Sequence, residues 1–370
     1  MLWGRGVSIV EVTVGPLSIP LREPFVIASG RVDATRAALV RATVEDAGGR
    51  RQTGLGESAA LPPVTREDQP QLLAQIAAAA AGLRGATLAR DAELDALLAE
   101  RLPGGVARAG VETAILDATA RLAGVPLYRA LAPAPGGDPG PAPALTTDIT
   151  LSISDPARMA EAARRHAASG FSCFKVKVGR DWRADCASLR AVAAAVPGAR
   201  FRLDANAGFT ATEALALLET ALADGLTIEC YEQPCAAGDL AGMAEVAARA
   251  PIPVVADESF RGPEDLERLL ATRAAGAVNL KLAKLGGPLA ALALGRRARA
   301  AGLGLMAGAM VETRLGLLAM AHVVAALGGV EWVDLDTAFL LADDPFAGGW
   351  STDGPRLALT GGPGLDVAAR

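Results

Sequence analysis

The first part of the chain alternates apolar and polar residues as β-strands do. Residues 1–65 contain the runs VSIVEVTVGPLSI, PFVIASG and ATRAALVRATVED, with turn signals such as AGG around them. Helical periodicity replaces this alternation from about Gln69 to Ala123. The two patterns together predict an N-terminal α+β domain over residues 1–130.

A repeating rhythm of strand and then helix begins at Thr146. The apolar runs are TDITLSI, CFKVKVG, RFRLDAN, TIECYEQP, PVVADES, AVNLKLAK, LGLMAGAM and WVDLDTA, and helical segments rich in Ala, Arg and Glu separate them. Eight such units predict an α/β fold, a (β/α)8 barrel of the TIM type over residues 131–339. The Pro/Gly-rich residues 132–144 predict a surface loop, and residues 340–370 are expected to return to the N-terminal capping domain and complete it.

Charged residues stand at the carboxyl ends of the predicted barrel strands, where such barrels carry their active sites. The second strand contains Lys175 and Lys177, which point to the same side because side-chain direction alternates along a strand. The following strands carry, in order, Asp204, Glu232, Asp257 and Lys281. The eighth strand carries Asp334 and Asp336, again on one face.

The three carboxylates Asp204, Glu232 and Asp257 come from three neighbouring strands and so converge on one region. Without a counter-charge they would repel each other and be costly to bury. A divalent cation removes this conflict, and a ligand set made only of oxygen favours Mg²⁺ over zinc. The alternative is that each carboxylate pairs separately with an Arg or Lys. That alternative explains one such residue better than three in succession.

Lys177 and Lys281 lie on the second and sixth strands, which are diametrically opposite in a ring of eight. A substrate carboxylate held by the metal would therefore place its α-carbon between two amines, one on each face. One amine could remove the α-proton while the other returns a proton to the opposite face, and the metal would stabilise the enediolate between the two steps. Repulsion from Lys175 and from the cation predicts a lowered pKa for the base.

Composition and charge narrow the class of protein further. A net charge of −5 and a pI near 5.3 argue against a nucleic-acid surface and are typical of a soluble, cytoplasmic protein. The longest apolar run, residues 315–330, is too short to span a membrane, and the N-terminus alternates like a strand rather than a signal peptide. The four cysteines lack metal-finger spacing and predict reduced thiols.

The segments FKVKVG, RLDANAG, YEQP, ADES, NLKLAKLGG and GAMVETRLG resemble, in order, the muconate-lactonizing subgroup of the enolase superfamily. The resemblance covers nearly the whole chain. It implies that Asp204, Glu232 and Asp257 bind Mg²⁺ and that Lys177 and Lys281 are the acid and base, with Lys175 beside them. Enzymes of this superfamily use a Lys or His base together with Mg²⁺. The resemblance also implies that Asn206 and Glu258 orient the metal ligands.

The sequence DLD at Asp334 and Asp336 is similar to that of dipeptide epimerases, in which two such aspartates hold the free α-ammonium of the substrate. The resemblance therefore implies a dipeptide or a related carboxylate as substrate. A cycloisomerase, an N-acylamino-acid racemase and an o-succinylbenzoate synthase remain open, because they share the lysines and the metal site. A Schiff-base aldolase and an inactive scaffold are more distant alternatives. Members of the family are often oligomers, so a homo-oligomer is also possible.

Two segments of the capping domain, PFVIASGRVDAT and GESAALPPVTRED, are expected to cover the barrel mouth and set the substrate preference. Relatives that act on Ala-Glu dipeptides have an arginine in the first segment, where the register here places Gly30, with Arg31 just after it. In a loop, a shift of one residue would still let the guanidinium reach the substrate, whereas along a strand it would turn the side chain away. Ala-Glu and a small or hydrophobic second residue both stay open. Arg31 and Thr147 are further candidates for substrate contacts.

Overall fold

The structure is a computed structural model and describes residues 2–4, 6–28, 30–62, 64–103, 105–132 and 142–370. Most of the surface loop predicted at residues 132–144 lies outside the described residues. Within the described part of the chain, none of the helices has the length and hydropathy needed to cross a membrane.

The N-terminal domain is a curled antiparallel sheet covered by helices. Its strands are β1 (Val7–Ile27), β2 (Gly30–Asp46), β3 (Arg51–Ala60) and the short β4 (Thr87–Leu88), in the order β3-β2-β1-β4. Its helices are α1 (Gln69–Leu83), α2 (Asp91–Arg101), α3 (Gly105–Ala123) and α4 (Leu127–Ala130). Helix α3 lies directly on β3 because Gly56 has no side chain: an added Cβ would lie 2.0 Å from the Gly110 carbonyl oxygen.

The second domain is built on eight parallel strands, which follow the short strand β5 (Ala144–Thr146). They are β6 (Ile149–Leu151), β7 (Cys173–Lys177), β8 (Arg200–Asp204), β9 (Thr227–Glu232), β10 (Val254–Ala256), β11 (Ala277–Leu280), β12 (Gly304–Ala307) and β13 (Trp332–Val333). Each strand pairs with the next one along the chain, from β6 to β13. The Asp148 amide donates to the Val333 carbonyl oxygen at 3.2 Å and so joins the first strand to the last.

Helices connect the parallel strands and cover the outside of the barrel. They are α5 (Pro156–Ala168), α6 (Trp182–Ala195), α7 (Ala211–Ala223), α8 (Leu240–Arg249), α9 (Pro263–Thr272), α10 (Leu282–Leu285), α11 (Pro288–Ala300), α12 (Arg314–Leu327) and α13 (Thr337–Leu340). Side-chain caps fix several of their starts, as where Thr210 and Glu213 form a capping box at α7. The expected (β/α)8 barrel with an α+β cap is confirmed.

The last strands hold the end of the chain against both halves of the molecule. They are β14 (Phe346–Gly348), β15 (Trp350–Asp353), β16 (Arg356–Leu359) and β17 (Val367–Ala369). Strand β16 pairs with β5, the short strand that precedes the first barrel strand. The Gly364 amide donates to the Val125 carbonyl oxygen at 2.9 Å, and the Leu365 amide donates to Asp117 Oδ1 at 2.7 Å. The C-terminal segment thus contacts α3 and the turn that follows it.

Candidate active site at the mouth of the barrel

The chain has only four lysines, and all four lie at the carboxyl ends of β7 and β11. Lys175 is almost completely buried, and its Nζ atom lies among three carboxylates. It is 3.1 Å from Asp204 Oδ2, 2.6 Å from Glu232 Oε2 and 2.6 Å from Asp334 Oδ2. Lys175 therefore connects the two acidic groups that the sequence predicted separately.

Lys177 and Lys281 line the same cavity as Lys175, and we call it the inner cavity. Lys177 Nζ lies 2.5 Å from Asp204 Oδ2, and Lys281 Nζ lies 2.9 Å from Asp257 Oδ2. Because β7 and β11 are four strands apart in the ring, the two amines approach the cavity from opposite sides. The fourth lysine, Lys284, contacts Asp257 Oδ1 and donates to the Asp257 carbonyl oxygen at 2.7 Å.

The three predicted metal ligands lie side by side. Asp204 and Glu232 are register partners at the ends of β8 and β9, and Asp257 directly follows β10. All three are buried. Burial opposes ionisation of Asp204, but the Lys177 and Lys175 ammonium groups outweigh it and hold the pKa of Asp204 below its usual range. These oxygens form a hard donor set that fits Mg²⁺.

Three polar residues orient the carboxylates. The backbone amide of Asn206 donates to Asp204 Oδ1 at 2.9 Å, and its side-chain Nδ2 donates to Glu258 Oε1 at 3.3 Å. Burial and the charge of Asp257 raise the pKa of Glu258 to about 7. Gln233, which the sequence reasoning missed although it belongs to the YEQP segment, accepts from the Asp257 and Ser259 amides at 2.9 and 3.0 Å. The buried Asn206 Oδ1 atom has no hydrogen-bond partner among the described residues, so a polar ligand could use it.

A second acidic group lies at the end of β13. Carboxylate oxygens of Asp148, Asp334 and Asp336 lie within 4.8 Å of one another, and all three residues are buried. Asp334 pairs with Lys175, and Asp148 pairs with Arg202 at 2.9 Å. Asp336 Oδ2 accepts from the Thr150 amide, whereas its buried Oδ1 has no hydrogen-bond partner among the described residues. Asp148 was missed because its neighbours in space are distant in sequence.

The structure separates the two remaining substrate candidates from the inner cavity. Thr147 is buried behind it, where its hydroxyl accepts from the Leu335 amide at 2.9 Å. Thr150 lines the cavity instead. Arg31 pairs with Asp33 at 3.0 Å, its side chain is 62% exposed, and it faces an outer cavity. Both capping segments reach the inner cavity through other residues, namely Phe25, Ile27, Leu61 and Val64.

The carboxylates that the protein supplies oppose the lowered lysine pKa that the sequence predicts from Lys175 and a bound cation. Burial lowers the pKa of Lys175 and of Lys281, but the surrounding carboxylates outweigh burial and raise both pKa values above their usual range. The sequence showed the repulsion between Lys175 and Lys177. It did not show that Asp334 and Glu232 would lie beside Lys175, because those contacts exist only in the closed barrel.

Two family profiles match the chain. The mandelate racemase / muconate lactonizing enzyme N-terminal domain matches residues 9–131, and a profile described as enolase C-terminal domain-like matches residues 158–369. The chain belongs to the mandelate racemase / muconate lactonizing enzyme family. The resemblance noted in the sequence is thereby confirmed.

Relatives in this family include dipeptide epimerases. The aromatic dipeptide epimerase of Herpetosiphon aurantiacus is 36% identical, over 98% of this chain and 99% of its own length. A substrate-liganded L-Ala-D/L-Glu epimerase from Bacillus subtilis has a TM-score of 0.90 at 32% identity, covering 98% of this chain and 99% of its own. The dipeptide epimerase of Enterococcus faecalis, complexed with Mg and L-Leu-L-Tyr, has a TM-score of 0.88 at 31% identity with the same coverage. The expectation of an isomerase is confirmed, since these relatives are epimerases.

Proposed function

We propose that this chain is a Mg²⁺-dependent dipeptide epimerase that uses Lys177 and Lys281 to move a proton at the carbon next to the substrate carboxylate. The observation that carries the proposal is the placement of these two amines on opposite sides of one cavity, each against a carboxylate of the Asp204, Glu232 and Asp257 group. A reaction that inverts a stereocentre needs a proton donor and a proton acceptor on opposite faces.

Asp204, Glu232 and Asp257 would hold the Mg²⁺ ion. Three buried carboxylates on adjacent strands fit a divalent cation, and the unpartnered Asn206 Oδ1 adds a further oxygen nearby. When bound, the ion would hold the substrate carboxylate and stabilise the negative charge that develops when the α-proton leaves.

The two lysines would exchange roles with the direction of the reaction. The neutral amine of one takes the α-proton, and the ammonium of the other gives a proton to the opposite face, so the total number of protons is unchanged. Both alkyl stems are buried, which limits their motion and keeps each amine on its own side. Lys175 would position the site, because it contacts Asp204 and Glu232 on one side and Asp334 on the other.

The second acidic group supports a substrate with a free ammonium. Its three carboxylates are in contact with two cations, Lys175 on Asp334 and Arg202 on Asp148. Asp336 lines the cavity and has an unpartnered oxygen, so a further positive charge there would give this oxygen a partner. An N-terminal α-ammonium supplies this charge, whereas an N-acyl group does not. The relatives named above as dipeptide epimerases agree with this substrate class.

The test is proton exchange in heavy water. The protein is incubated with Mg²⁺ and a mixed library of L,L-dipeptides, and mass spectrometry follows the gain of one deuterium at the α-carbon of the C-terminal residue. Exchange together with inversion is the expected result. If a protein shown to bind Mg²⁺ exchanged no dipeptide, the proposal would fail, and a cycloisomerase or an N-acylamino-acid racemase would take its place. A cytoplasmic location and a homo-oligomer stay predictions from the sequence.

A further inference from the structure

One side of the inner cavity is formed only by apolar side chains. We call this side the apolar wall, and its members are Phe25, Ile27, Leu61, Val64, Met310 and Val311. The first four belong to the capping domain, and the last two belong to the loop after β12. The wall has depth, because Phe25, Leu61 and Val311 pack in a hydrophobic cluster with Leu21 and Leu341. A group that enters the cavity on this side therefore meets an apolar surface rather than a thin layer over polar atoms.

Hydrogen bonds between the two domains fix the wall in place. The hydroxyl of Thr35, on β2, donates to the Val311 carbonyl oxygen at 2.6 Å. Glu57, on β3, accepts from the Thr313 amide at 3.1 Å and from the Gly316 amide at 3.1 Å, at the start of α12. The barrel loop that carries Met310 and Val311 is thus attached to the capping domain. Such attachment limits how far the wall could rearrange to admit a charged group.

The charged residues of the cavity already have partners, including Lys177, whose Nζ atom lies 5.8 Å from the centre of the Phe25 ring. Lys175, Lys177 and Lys281 each contact a carboxylate. Among the cavity-lining residues that the structure describes, no arginine is present to pair with a second carboxylate of the substrate. A dipeptide with an acidic side chain would have to bury that charge against the wall without a cation in contact, which is strongly unfavourable.

Arg31 does not fill this gap, because its direction is fixed by the strand. Side chains on β2 alternate between the two faces, and the neighbouring Val32 packs in the same hydrophobic cluster as Phe25 and Leu61. Arg31 therefore faces the other way, where it is 62% exposed and paired with Asp33. Turning it inward would expel Val32 from the cluster.

We propose that the preferred substrates carry an uncharged, apolar side chain on the residue that is epimerised, and that this side chain packs against the apolar wall. The proposal rests on the proposed epimerase function and adds the substrate class. Burial of a leucine or phenylalanine side chain here gains hydrophobic stabilisation, whereas a glutamate side chain loses its hydration and finds no cation. The side chain of the N-terminal residue is not constrained by this argument.

The first experiment compares deuterium exchange and epimerisation of L-Ala-L-Leu, L-Ala-L-Phe and L-Ala-L-Glu by the Mg²⁺-loaded protein. The kcat/KM for the two apolar substrates should exceed that for L-Ala-L-Glu by about tenfold or more. If L-Ala-L-Glu were turned over as fast, the substrate proposal would fail while the epimerase function stood. Absence of exchange with every dipeptide would overturn both.

A second experiment places a charge in the wall. Val64 is only partly buried and lies in the segment between β3 and α1, so Val64→Arg should fold. This variant should lower the ratio of L-Ala-L-Leu to L-Ala-L-Glu turnover by about tenfold or more. The matched control is Ala77→Arg, which adds the same charge at an exposed position on α1. An equal change of the ratio in both variants would show a long-range charge effect and would overturn the role of the wall.

Discussion

At the scale of single residues, lysine and arginine have different places in this protein. The four lysines lie at the site, and apart from two histidines every other basic residue of the chain is an arginine. An arginine stays protonated in proteins, whereas a lysine can lose its proton when its surroundings change. Structural ion pairs such as Arg202 with Asp148 need only a permanent charge. The amines facing the cavity belong to the residue type that can also act as a base.

Replacement of either opposed lysine should abolish epimerisation, because each face then lacks its proton carrier. For Lys281→Ala and Lys177→Ala we expect kcat/KM to fall by about a thousandfold or more, measured by circular dichroism of the two epimers. Lys281→Arg is the control that keeps the charge, and it should be impaired as well, since a guanidinium does not deprotonate. A single variant that still interconverted both epimers at a near-normal rate would contradict the two-base mechanism.

Asp336 should be needed for substrates with a free amine and not for N-acylated ones. Asp336 lines the cavity and has an unpartnered oxygen, whereas Asp334 is held by Lys175, so Asp336→Asn removes the charge left for an ammonium. We expect KM for dipeptides to rise by about tenfold to a hundredfold. Binding of N-acetylated analogues, measured by calorimetry, serves as the comparison. An equal loss of affinity for both would assign Asp336 a structural role.

At the scale of elements, a buried histidine joins α12 to α4. His322 is on α12, and its Nδ1 atom accepts from the Tyr128 amide at 3.0 Å. Burial lowers the pKa of His322 to about 3. The residue is therefore neutral and packed. It lies outside the cavity and has no part in the proposed chemistry.

The neutral His322 should make stability depend on pH. Below about 6.5 the unfolded chain binds a proton at this residue that the folded chain does not bind until about 3. His322 by itself should lower the free energy of unfolding by about 1.4 kcal/mol for each unit that the pH falls across that range. Urea unfolding at several pH values measures the slope, and His322→Asn, which keeps an acceptor, should show a shallower slope. Equal slopes would contradict the assignment of a neutral histidine.

At the scale of the whole molecule, Arg202 lies where the barrel closes. Its guanidinium bonds Asp148 beside the first barrel strand at 2.9 Å, the Val333 carbonyl oxygen on the last at 2.9 Å, and Glu229 at 2.8 Å. Burial lowers the pKa of Arg202, but Asp148 and its other neighbours outweigh burial and raise it. One side chain on β8 thus crosses the barrel interior to the seam between β6 and β13.

Arg202→Leu should destabilise the protein strongly, because it leaves Asp148 buried without a cation. We expect a loss of about 3–5 kcal/mol in the free energy of unfolding, measured with urea. Adding Asp148→Asn should recover part of that loss, since the uncompensated charge is then removed. If the double variant were as unstable as the sum of the single variants, the two residues would not be energetically coupled.

The sequence by itself determined the barrel and the order of its chemical residues. The alternation of apolar strand and helix is a local property, and each of Lys177, Asp204, Glu232, Asp257 and Lys281 ends or directly follows its own strand. The carboxyl ends of parallel strands meet at one edge, so local position sufficed to place these residues together.

Only the tertiary structure decided which groups touch. Lys175 contacts Asp334, 159 residues away, because the barrel closes, and the same closure brings Asp148 to Asp336. Thr150 rather than Thr147 lines the cavity, and the pleat of β2 turns Arg31 outward. Contacts of this kind depend on the side-chain directions of two or more distant elements at once, and neither spacing nor composition encodes that relation locally.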